Sequence, residues 1–93
     1  EKLLRWLIAG KRGGINRARI IKALAKDLQY HQLSEELNLD YKTVRHHVKI
    51  LEENNVIKPA GDTYGKLYFL SEEIEKNYGV FEKIWDKIKV MSG

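Results

Sequence analysis

LSEELNLDYKTVRHHVKIL, residues 33–51, divides into two short helices around a tight turn. Leu33 and Leu37 stand four apart and define one face of a first helix over residues 31–38. Asn38-Leu39-Asp40 makes the turn, with Leu39 directed back toward a core and Asp40 suited to cap the second helix. That helix spans residues 41–54. Val44, Val48 and Leu51 recur there at i, i+4 and i+7 as a buried stripe. Asn55 lies just past its end, where asparagine tolerates the left-handed backbone that helix ends often require.

Successive residues of a helix turn by about 100°. The apolar stripe therefore leaves Lys42, Arg45, His46 and Lys49 on the opposite face, with Tyr41 near the leading end. Cationic and hydrogen-bonding side chains on one helical face suit a DNA major groove. Arg45 is the first choice for a base contact, because a guanidinium donates in paired geometry to guanine; Tyr41 and His46 come next. Lys42, Thr43 and Lys49 fit phosphates. His47 lies closer to the inward edge and reads as structural. A merely solvated basic face is the plain alternative.

Outward toward the N-terminus, Leu3, Leu4, Leu7 and Ile8 give residues 1–9 the pattern of an amphipathic helix, with Trp6 off its stripe. Gly10, Gly13 and Gly14 break it, with Lys11 and Arg12 between them. The GxxxxGK[ST] order of a phosphate-binding loop is absent, so this reads as a connector. Asn16 is a good N-cap for a helix over residues 17–26. Ile20, Ile21 and Leu24 form its apolar face, and Ala18, Ala23 and Ala25 permit close packing. Arg17, Arg19, Lys22 and Lys26 read as its polar-face cations. Arg17 and Arg19, near the helix start, are candidate phosphate contacts. Residues 28–30 could form a very short strand.

Outward toward the C-terminus, residues 56–60 and 66–70 read as two strands joined by a loop over 61–65. Pro59 restricts its strand to an edge or an unbonded position. Whether Leu67 and Phe69 or Tyr68 and Leu70 face the core is open. As a wing, this hairpin offers Lys58, Tyr64 and Lys66 to a groove or backbone, while Asp62 at the tip opposes deep insertion. Ser71 caps a last helix whose first turn carries Glu72 and Glu73. Ile74, Tyr78, Phe81, Trp85 and Ile88 then recur at spacings of 4, 3, 4 and 3, a heptad seam widened by Ile84 and Met91. Gly79 interrupts it and invites a kink. This seam, with Leu3, Leu4, Leu7 and Ile8, is the expected subunit interface of a homodimer.

Length and composition agree with this reading. At 93 residues the chain is one domain with a modest core. It begins at Glu1 without Met, which reads as processing or trimming. There are no cysteines, which excludes disulfides and thiolate metal sites and fits a reducing cytoplasm. No apolar run is long enough to cross a membrane. Residues 1–50 carry 11 Lys/Arg against 5 Asp/Glu, a net +6, whereas residues 51–93 carry 6 against 8, a net −2. That asymmetry suggests a basic face for a polyanion. No nucleophile–base setting, HExxH or Gly-rich cofactor loop points to an enzyme.

The run HQLSEELNLDYKTVRHHVKILEENNVI, residues 31–57, resembles archaeal winged-helix regulators related to the ArsR family, as does the preceding GGINRARIIKAL, residues 13–24. Asn38 and Asn55 replace glycines of that pattern, and Val48 replaces a leucine. The resemblance implies a mainly α fold with a small β-hairpin, in the order helix, short strand, helix, helix, hairpin wing. Residues 1–70 would form the winged helix-turn-helix; residues 71–93, which the resemblance does not cover, read from their heptad seam as a C-terminal dimerisation helix. The resemblance implies a sequence-specific transcriptional regulator on double-stranded DNA, with residues 41–54 in the major groove, and the seam makes it a dimer. A protein-interaction winged helix within a transcription assembly is the alternative. Many ArsR relatives sense metals through Cys or clustered His and Asp. Those arrangements are missing here, and adjacent His46 and His47 diverge on their helix, so no metal and no cofactor is expected.

Overall fold

The computed structural model describes residues 2–9, 13–26, 28, 30–60 and 67–92. The elements in chain order are α1 (Lys2–Ile8), α2 (Gly14–Ala25), α3 (Tyr30–Leu37), α4 (Tyr41–Glu53), β1 (Ile57–Ala60), β2 (Leu67–Leu70), α5 (Glu72–Lys76) and α6 (Tyr78–Ser92). The fold is mainly helical with a two-stranded antiparallel hairpin. α2 is its hub, packing against α1, α3, α4, β2 and α6.

The start of α2 is fixed by glycine rather than by a capping side chain. Gly13 occupies the N-cap position with a left-handed φ of 85°, and Asn16, expected as the cap, lies inside the helix. Gly14 is buried beside the end of α1, where a Cβ would run into the Ile8 backbone. This close approach lets Leu4, Leu7 and Ile8 of α1 meet Ala18, Ile20, Ile21 and Leu24 of α2 in one core.

Tyr30 is the first residue of α3, and Leu28 lies outside regular structure, so the described residues contain no strand in the expected position at 28–30. The turn between α3 and α4 is built as its residues require. Asn38 takes a left-handed φ of 54°. The Ser34 hydroxyl donates to the Leu39 carbonyl at 2.6 Å. Asp40 accepts from the Thr43 backbone N–H at 2.7 Å and so caps α4. That bond, joined by one from the Thr43 side chain, holds the Asp40 carboxyl below its ordinary range. At the other end of α4, Asn55 has a φ of 61° and Val56 N–H returns to the Leu51 carbonyl at 3.0 Å.

In the hairpin, Ile57 pairs with Leu70 and Pro59 with Tyr68. Tyr68 and Leu70 are buried while Leu67 and Phe69 are exposed, which decides the face that the alternation left open. Burial, together with the nearby Glu52 carboxylate, pushes the Tyr68 hydroxyl's pKa up. Tyr64 and Lys66 lie outside the described residues, as does the rest of the loop.

The C-terminal region is two helices, not one. The break falls at Asn77, whose N–H bonds back to Glu73 and Ile74, rather than at Gly79. The expected interface also requires correction. Ile74, Phe81, Ile84 and Ile88 are buried within this chain, in the same cluster as Leu4 and Leu7. Phe81 has no solvent exposure at all. These side chains fill the space that α6 closes against α1 and α2, and so cannot meet a second subunit. A fully buried side chain of this kind contributes about 1.5–3 kcal/mol. Tyr78 and Trp85 are half-buried, and of the interface residues whose burial is described only Leu3 is exposed.

Two glycine substitutions should separate sharply in urea unfolding. Gly79→Ala meets no atom within 4 Å and should raise stability by about 0.5–1 kcal/mol. Gly14→Ala should lower it by about 1–3 kcal/mol, because the backbone of α1 must move.

Candidate nucleic-acid interface

The polar face of α4 is open to solvent along its length. Tyr41, Lys42, Arg45, His46 and Lys49 are all exposed, and Thr43 is partly so. The Arg45 guanidinium lies 5.8 Å from the centre of the Tyr41 ring, within cation–π range, which draws both toward the start of the helix. Between the Asp40 cap and Glu52 there is no acidic side chain, so Lys42, Arg45 and Lys49 form an uninterrupted positive row. Lys58, on β1, is exposed as well. Such a row supplies donors to base edges and cations to phosphates.

The opposite face of α4 is anchored by Val44, His47, Val48 and Leu51, all buried. His47, read as structural, packs against Gly13, where a Cβ would stand 2.8 Å from the ring Cε1. Its Nδ1 lies 3.5 Å from Nη1 of Arg17. Its other ring neighbour is His46, edge-on at 5.1 Å between centroids.

Arg17 is therefore not a phosphate contact. It is 5% exposed, and its Nε donates to the Leu7 carbonyl at the end of α1 at 2.7 Å. The signal was in the spacing: Arg17, Ile20, Ile21 and Leu24 recur at i, i+3, i+4 and i+7, which puts Arg17 on the core face. Arg19 is also committed inward. Its Nη2 donates to the Leu37 carbonyl at 2.6 Å, tying α2 to the end of α3, and Nη1 donates to Asn16 Oδ1 at 3.3 Å. No sequence pattern marks that tie, because its acceptor is a backbone carbonyl. Among the described residues no group of three or more His, Cys, Asp or Glu could hold a metal ion. No helix among them is long and apolar enough to cross a membrane.

The sequence pattern of the bacterial regulatory protein arsR family matches residues 16–58, from α2 into β1. The crystal structure of a MarR transcriptional regulator from Methanosarcina mazei Go1 is similar in fold, with a TM-score of 0.65 at 20% identity. The chain has a winged helix-turn-helix fold. The match covers 83% of this chain and 61% of that one, so this chain spans less than two thirds of the archaeal protein's length. No curated protein matches the chain by sequence.

Within this fold, His47 gives stability a characteristic pH dependence. Burial, then the Arg17 charge and then His46, hold its pKa below the ordinary 6.5. The unfolded chain thus takes up this proton at a higher pH than the folded one. The His47 contribution is fully present above about pH 6.5 and is lost progressively as pH falls below it. Urea unfolding between pH 7 and pH 5 should show this decline, and His47→Gln should flatten it.

Proposed function

We propose that this regulator binds double-stranded DNA sequence-specifically as a homodimer, with α4 lying in the major groove. The observation that carries the reading is the pairing of faces on α4: one buried against α2 and the wing, the other an exposed row without an acid. Arg45 reads a base edge, assisted by Tyr41 and His46. Lys42, Thr43 and Lys49 hold phosphates, and Lys58 of the wing adds backbone contact. A second copy would bring another α4 to the next major groove, about 34 Å away on a palindromic site. Leu3 and Trp6 on α1, 44% and 51% exposed, support a role for α1 in that pairing. The match to a regulatory family supports a binding role rather than catalysis.

Selecting bound fragments from random duplex tests the reading first. It should yield a two-fold symmetric site, and a chain with little DNA affinity at physiological salt would instead favour the protein-interaction module. On the selected site, Arg45→Ala should lose discrimination among sequences by about 1–3 kcal/mol, whereas Lys49→Ala should weaken all sequences alike. Equal, non-selective losses in both variants would overturn the role assignment. With about six phosphates neutralised per dimer, the log–log salt dependence should have a slope near −5. Sedimentation should give dimers that Leu3→Glu combined with Trp6→Glu converts to monomers.

A further inference from the structure

Tyr41 is the first residue of α4, and Arg45 follows four residues later. Side chains so spaced leave a helix from the same face, one turn apart. The buried face of α4 is made by Val44, His47, Val48 and Leu51 and does not include the Tyr41 ring. At 56% exposure, Tyr41 is the most open of the large hydrophobic side chains among the described residues. The Arg45 guanidinium stands over one side of the ring, 5.8 Å from its centre. Much of the rest of the ring stays accessible. A hydrogen-bonding fork and an apolar surface are therefore presented side by side, at the end of the helix that leads into a groove.

We infer that this pair reads a step of two base pairs: Arg45 takes a guanine, and the Tyr41 ring covers the C5-methyl group of a thymine in the adjoining pair. The inference rests on the proposed reading of α4 in the major groove and names part of the sequence read there. In that groove a guanine offers O6 and N7 to a guanidinium, and a thymine offers a methyl group to an apolar side chain. Cytosine presents no such methyl, so the ring selects thymine over it.

The spacing of the two side chains sets the spacing of the two bases. Neighbouring base pairs lie about 3.4 Å apart along the helix axis, and pairs two steps apart about 6.8 Å. The 5.8 Å between guanidinium and ring centre falls short of two steps, so the ring meets the pair next to the guanine. A phosphate would engage only the Tyr41 hydroxyl and would leave the ring uncovered. The chemistry of the contact therefore separates the two roles: a methyl needs the ring, a phosphate needs the hydroxyl.

The test uses the full chain and duplexes carrying the selected site, with each thymine replaced in turn by deoxyuridine. That replacement removes the methyl group and keeps the hydrogen bonds of the base pair. At one thymine per half-site, next to the guanine identified through Arg45→Ala, binding should weaken about fourfold, the contribution of about one buried methyl or methylene group. Tyr41→Ala should bind the thymine and deoxyuridine duplexes equally, whereas Tyr41→Phe should keep the difference. Both variants should retain the circular dichroism of the parent. Indifference of the parent chain to every deoxyuridine, a thymine preference that survives Tyr41→Ala, or one that disappears in Tyr41→Phe would overturn the inference. Sequence-specific binding that ignores the methyl group would leave the reading of α4 standing, whereas absence of specific binding to any duplex would overturn both.

Discussion

The buried guanidinium of Arg17 is the junction on which the geometry of this domain depends. It sits on α2, donates to the last turn of α1 and lies beside His47 on α4. Burying an arginine is unfavourable unless its N–H groups are used, and desolvation here lowers its pKa. A hydrogen bond from a charged donor contributes about 1.5–3 kcal/mol, and removing the guanidinium takes this one from the Leu7 carbonyl. The glycines at 13 and 14 belong to the same constraint, since they admit the His47 ring on one side and the α1 backbone on the other. With that junction closed, α4 can turn only one face to solvent.

Arg19 repeats the device two residues later. It crosses from α2 to the terminal carbonyl of α3, so both helices of the helix-turn-helix are fastened to α2 by arginines. The cations most readily assigned to DNA thus divide by element. Those of the first turns of α2 serve the interior, while those of α4 remain exposed.

The helix-turn-helix was legible because its signals are local. Val44, Val48 and Leu51 mark one face by spacing, Asp40 and Ser71 are capping residues, and Asn38 and Asn55 are among the few residue types that accept the left-handed backbone found there. What was not legible depends on distant partners. The heptad spacing of Ile74, Phe81 and Ile88 says that one side of a helix is covered, but not by what; α1 and α2 of the same chain cover it. Strand alternation could not choose between Tyr68 and Phe69 until the hairpin was placed over the core. Asn16 lost the capping role because Gly13 permits an earlier helix start.

The central claim, that the exposed row of α4 reads base edges in the major groove, is tested most directly by atomic substitution in the DNA. Replacing single purines of a selected site with 7-deaza analogues removes the N7 acceptor from the major groove and leaves the minor groove intact. At one or more positions per half-site the substitution should weaken binding by about 1–3 kcal/mol, and Arg45→Ala should abolish the difference at the guanine it contacts. Binding that is indifferent to every 7-deaza substitution, yet sensitive to removing the guanine 2-amino group from the minor groove, would contradict it.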